Sequence, residues 1–137
     1  MKFVKLFLLV ILVGLMGACP LDDLFNQTTY YYVITWPQCI TRGWYCYSLP
    51  NYSNDQSYNS HVFMLRTKTY KFRTGDLLVV EAGMLEAPYD SCWYNNKVSV
   101  AIYKSTQSEG NIDYGGTCVA SDSVYAINPA YATATAE

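Results

Sequence analysis

The chain predicts an all-β fold, a small antiparallel β-sandwich or jelly-roll-like domain closed by disulfides. Three observations carry that expectation. Residues alternate with a period of two through the centre of the chain, which puts one set of side chains on one face of a pleated strand. Short segments dense in β-branched and aromatic residues are separated by polar, turn-rich stretches. No segment after residue 18 repeats its apolar residues at helical spacing.

Residues 1–18 read as address rather than fold. Lys2 and Lys5 precede an apolar run of about eleven residues, Leu6 to Met16, that ends in the small Gly17 and Ala18. Such a run is too short for a membrane span, which needs roughly twenty residues, and suits the core of a signal peptide. Residues 19–27 read as a tether, and the sandwich is expected over 28–127. TTYYYVITW (28–36) is a strand stopped by Pro37, and GWYCYSL (43–49) is its neighbour, stopped by Pro50. NYSNDQSYNS (51–60) has no periodicity and reads as an exposed loop.

The stretch from His61 to Ala82 is the expected centre of the sheet. Tyr70 and Phe72 alternate with Lys71 and Arg73; after the turn Thr74-Gly75-Asp76, Leu78, Val80 and Ala82 alternate with Leu77, Val79 and Glu81. Residues 83–96 read as a second long loop. KVSVAIYK (97–104) repeats the inward pattern at Val98, Val100 and Ile102, and 105–116 reads as a third loop. TCVA (117–120) and SVYAI (123–127) are short final strands, and 128–137 is a flexible or edge-strand tail.

The leader carries a resemblance. Leu15-Met16-Gly17-Ala18-Cys19 resembles the lipobox of bacterial lipoproteins, which implies cleavage before Cys19 and a diacyl anchor on that residue. Cysteine parity favours this reading: with Cys19 lipidated, Cys39, Cys46, Cys92 and Cys118 remain to pair, and Cys39 with Cys46 and Cys92 with Cys118 is the favoured set of three possible pairings. An acyl chain would tether a soluble domain to the membrane. The alternative is ordinary signal-peptide cleavage near Ala18 and secretion.

Charge excludes one class of function. The formal net charge is −2, and falls to −4 without Lys2 and Lys5. General nucleic-acid binding needs many clustered cations and is not expected. The chain has no GxSxG, Walker, HExxH or CxxC motif and a single histidine, so neither a cofactor nor a metal is expected. One enzyme resemblance stands beside this: YYYVITWPQC (30–39), followed by Cys46 and His61, resembles the opening of T2-type ribonucleases. That resemblance implies a hydrolase using His61, although Val62-Phe63-Met64 replace the family's glycine-leucine-tryptophan-proline.

Binding is the better-supported expectation, with a purely structural envelope lipoprotein as a further alternative. The chain has 14 tyrosines, and rings at loops stack on sugars or anchor protein partners. Trp36, Trp44, Tyr45, Tyr47, Trp93 and Tyr94 are the candidate platform for a glycan or an envelope or extracellular protein. Arg66, Lys68, Lys71 and Arg73 form a candidate cationic stripe for an acidic partner.

Overall fold

The computed structural model describes residues 26–37, 42–50, 63–85, 97–125 and 128–137, together with the strand at 52–60. The expectations for residues 1–25, and those for Cys39, His61, Cys92, Trp93 and Tyr94, lie outside the described residues.

Nine strands are described: β1 (Gln27–Thr35), β2 (Arg42–Leu49), β3 (Tyr52–Ser60), β4 (Met64–Arg66), β5 (Tyr70–Arg73), β6 (Leu77–Met84), β7 (Lys97–Lys104), β8 (Thr117–Tyr125) and β9 (Ala130–Thr135). They form two sheets. Sheet I has the order β4-β1-β7-β8, with β5 continuing the β4 edge along β1, and sheet II has the order β3-β2-β6-β9. Every pairing is antiparallel. The chain crosses between sheets after β1, β3, β5, β6 and β8, so the expected sandwich is what forms.

The inward faces are those the alternation predicts. Tyr30, Tyr32 and Ile34 of β1, Phe72 of β5, Val98, Val100 and Ile102 of β7, and Leu78, Val80 and Ala82 of β6 pack into one buried cluster with Tyr45 and Tyr47 of β2. Each fully buried apolar side chain of this kind contributes roughly 1.5–3 kcal/mol. The tyrosines add a polar requirement, because a buried hydroxyl without a partner is costly. Tyr32 Oη bonds to the carbonyl (2.9 Å) and hydroxyl (2.8 Å) of Ser48, and Tyr30 Oη accepts from the backbone N–H of Glu137 at 3.0 Å. Ser48 reaches inward because the β2–β3 register shifts between Tyr47 and Leu49, an irregularity that turns a side chain off its alternating face. Burial pushes the Tyr32 phenol well above its ordinary value.

Three sequence expectations change. The polar stretch 51–60 contributes a strand, β3, which pairs along the whole of β2. The period-two test failed there because a strand at a sheet edge need not alternate apolar with polar. The two short strands at 117–120 and 123–127 are one strand, β8, with a register shift opposite Ile102 and Tyr103. The tail takes its edge-strand alternative: β9 pairs with β6, burying Ala130 and Ala132, and Ala136 N donates to Asp76 O at 2.9 Å. The expected Thr74-Gly75-Asp76 turn is present, with Gly75 at φ +94°, a conformation that glycine adopts without steric cost.

Candidate functional site: the outer face of sheet I

Among the described residues the aromatic platform does not assemble as a surface. Trp36, Tyr45 and Tyr47 are buried in the core. Tyr45 and Tyr47 stack at 6.0 Å, Tyr47 meets Tyr32 at 5.0 Å, and Trp36 Nε1 donates to Gly83 O at 3.1 Å. Aromatic residues on strands adjoining a loop fall on the inward face as readily as on the surface, and only register decides. Trp44, half-buried, lies on the outer side of sheet II across Gly83, whose missing Cβ leaves room for the indole.

Cys46 and Cys118 are free thiols among the described residues, and their expected partners, Cys39 and Cys92, lie outside the described residues. Cys46 is buried in mid-strand with Sγ 3.8 Å from Glu81 Oε2, and burial, reinforced by the Glu81 charge, pushes its thiol up. Cys118 is exposed on β8 and turns toward Ala120 O at 3.5 Å. Among the described residues no group of three or more His, Cys, Asp or Glu side chains is placed to hold a metal ion.

The cationic stripe is divided by its local contacts. Lys71 and Arg73 are exposed on β5, on the outward side opposite Phe72. Lys68 lies in the interruption between β4 and β5, with Nζ 5.6 Å from the Tyr70 ring. Arg66 is engaged elsewhere: its guanidinium carbon lies 5.2 Å from the Tyr31 ring and 5.0 Å from the Tyr114 ring, and Nη1 donates to Asp113 O at 2.8 Å.

That engagement belongs to a different site, built by the β7–β8 loop. Between β4 and β5 the chain leaves β1, and the freed backbone of Thr69 pairs with the loop instead: Thr69 N donates to Asn111 O (2.8 Å) and Gly110 N to Thr69 O (2.9 Å). Thr69 Oγ1 donates to Ser108 O at 2.6 Å and Thr29 Oγ1 to Gln107 O at 2.8 Å. Asp113 fixes the loop from within, accepting from Ser105 Oγ (2.5 Å), Gly115 N (2.8 Å) and Thr106 N (3.3 Å). The Ser105 hydroxyl, with help from these backbone donors, holds its carboxyl below the ordinary 3.8. Gly116 then passes so close to Tyr31 that a Cβ would lie 2.8 Å from the ring, and its N–H donates to Tyr31 Oη at 3.2 Å.

Held in this way, Tyr103, Tyr31, Arg66 and Tyr114 form a continuous stack on the outer face. Tyr31 and Tyr103 are stacked nearly parallel at 5.1 Å and 6°, and Arg66 follows between Tyr31 and Tyr114, with Tyr114 79% exposed. Beside Tyr103 opens a groove of about 450 Å³. Its floor is set by register: Val33, Ala101 and Ser121 make one row across β1, β7 and β8, and Thr35, Ser99 and Ser123 make the next. Ser99 and Ser123 hydroxyls lie 2.9 Å apart. Asp122 also borders the groove, but its carboxylate is turned inward, accepting from Ser123 N at 2.8 Å and Tyr131 N at 2.9 Å.

Sequence reasoning missed Thr35, Ser99, Tyr103, Tyr114, Ser121 and Ser123 as site residues. The signal available was the outward set of β7, Ser99, Ala101 and Tyr103, which alternates with the inward Val98, Val100 and Ile102. Which strands would lie beside it was not in the pattern. Comparison with known family models, with curated proteins and with solved structures finds no match for this chain.

Proposed function

We propose that this protein is an exported, non-catalytic β-sandwich that binds a glycan on the outer face of sheet I, anchored to a membrane by lipid on Cys19. The observation that carries the reading is the hydroxyl-lined groove bordered by the fixed ring of Tyr103. A sugar offers hydroxyls that donate and accept, which serine and threonine hydroxyls match in both directions. It also offers an apolar ring face, for which a tyrosine held by stacking is a prepared partner. A protein partner is less well matched, since protein interfaces draw most of their affinity from large anchors seated in pockets, and the groove floor carries none. Export and the anchor rest on the leader and the lipobox-like Leu15–Cys19.

Screening the full-length chain, held in detergent, against an array of immobilised glycans tests the reading. Tyr103→Ala should weaken retention roughly 2- to 12-fold, the equivalent of a ring contact of about 0.5–1.5 kcal/mol. Trp44→Ala, on the other sheet, should leave it unchanged. Undiminished retention by Tyr103→Ala would retire the groove as the site. Intact mass of the protein from fractionated cells tests the anchor, with a diacylated Cys19 as the expected N-terminus.

A further inference from the structure

The chemistry of the groove narrows the ligand, given the glycan reading above on which this step rests. We propose that the groove takes a linear, uncharged polysaccharide laid across β1, β7 and β8.

Neutrality follows from what lines the groove and from where the neighbouring charges are spent. The hydroxyl-bearing side chains that line it are Thr35, Ser99, Tyr103, Ser121 and Ser123. Among the described residues no lysine or arginine lines it. The cations at neighbouring register positions have other partners: Arg66, paired with Val33, is held between Tyr31 and Tyr114; Lys97, at the far end of β7, lies 4.8 Å from the Tyr125 ring; and Lys104 bridges Glu137 at 3.6 Å. Among the described residues the one carboxylate at the border, Asp122, is turned inward onto two backbone N–H groups. An acidic sugar would therefore be desolvated without a counter-charge, which costs more than leaving it in water. A neutral hydroxyl loses nothing comparable, because the floor returns its hydrogen bonds.

Linearity follows from extent. The floor spans three strands, which at the usual strand spacing of about 4.8 Å sets its outer members roughly 10 Å apart. That is broader than one sugar ring, so a single ring would leave part of the hydroxyl floor without a partner. β8 is the last strand of sheet I, so the floor stops at a sheet edge where a chain can continue into solvent. Tyr103 stands at the side, where it meets a ring face.

Affinity electrophoresis of the full-length chain in detergent, through gels containing hydroxyethylcellulose, soluble mannan, polygalacturonate or dextran sulfate, decides the matter. The expected result is retardation by at least one neutral polymer, unaffected by salt, with at least about tenfold weaker retardation by both acidic polymers. Ala101→Trp, which fills the groove from an outward position of β7, should abolish the retardation, and Lys71→Gln on β5 should not change it. Circular dichroism of Ala101→Trp identifies a folding failure, in which case Ser99→Gln, a smaller obstruction in the next row, supplies the same test. Stronger, salt-sensitive retardation by the acidic polymers would overturn neutrality while leaving glycan binding in place. Equal competition by the free monosaccharide would overturn the linear-chain assignment. Retardation by none of the four, together with an empty glycan array, would overturn the glycan reading itself.

Discussion

Three successive tyrosines on β1 separate the two faces of sheet I. Tyr30 and Tyr32 point inward and are buried by the opposing sheet, and Tyr31 points outward and is 1% exposed all the same. The inner pair is buried by architecture, because any residue in that phase of the strand meets sheet II. Tyr31 is buried by the Tyr103 ring, the Arg66 guanidinium and one loop, and that loop stays because Thr69, Arg66 and Asp113 hold it. Alternation thus assigns a face, and burial on the outer face is a separate event with its own supports.

The largest expected effects test this distinction directly. Tyr32→Ala should cost about 3–5 kcal/mol, the range for removing a large ring from a closed core where a cavity remains. Tyr31→Ala should cost less, about 1.5–3 kcal/mol, since the vacated space lies under a loop that can settle or admit water, leaving mainly the transfer of one ring. Urea unfolding with an unchanged slope measures both. Equal losses would mean that the loop covers sheet I as rigidly as sheet II does, and the distinction would collapse.

The same contrast explains what was legible in the sequence. Phe72, Leu78, Val80, Ala82, Val98, Val100 and Ile102 were readable as core because inward burial repeats every second residue. The turn at Thr74-Gly75-Asp76 was readable because few residues accept its geometry. The groove was not readable, because its floor joins Thr35, Ser99 and Ser123, residues brought together only by the non-sequential order β1-β7-β8. The aromatic platform misled for a related reason: Trp36, Tyr45 and Tyr47 flank a loop in the sequence but lie in the inward phase of their strands.

The inner-face rule also has an exception, and it sharpens the comparison. On β8, Asp122 occupies the inward phase, between the partly buried Ala120 and Val124. Its two oxygens accept from Ser123 N on its own strand and from Tyr131 N on β9, joining the edges of the two sheets. An inward-pointing charge is one way in which a sheet edge avoids pairing with another chain. Asp122→Asn keeps the shape but replaces one acceptor by a donor, so one of the two N–H groups loses its partner. The expected cost is about 1 kcal/mol, together with concentration-dependent association visible by light scattering. A variant that is both as stable and as monomeric as the parent would show that the seam between β8 and β9 holds without the carboxylate.

The smallest effect is local and depends on pH. Asp113 is the internal fastener of the β7–β8 loop, and its carboxyl is held below the ordinary value chiefly by the Ser105 hydroxyl and then by the Gly115 N–H. A carboxyl with a lowered folded-state pKa binds its proton less readily in the native than in the unfolded chain. Its contribution is therefore complete above 3.8, the ordinary value, and is lost as pH falls through the lower value of the folded state. Protonation removes acceptor capacity that Ser105, Thr106 and Gly115 use, so the loop should open before the sandwich unfolds. Amide exchange at Thr106 and Gly115 should accelerate in that acid range while exchange in β1 and β7 stays slow. Ser105→Ala, which removes the first cause of the shift, should move the onset of opening to higher pH. If loop and strands instead exchange together at every pH, the outer cover is not an independent unit, and Tyr31 is as much a core residue as Tyr32.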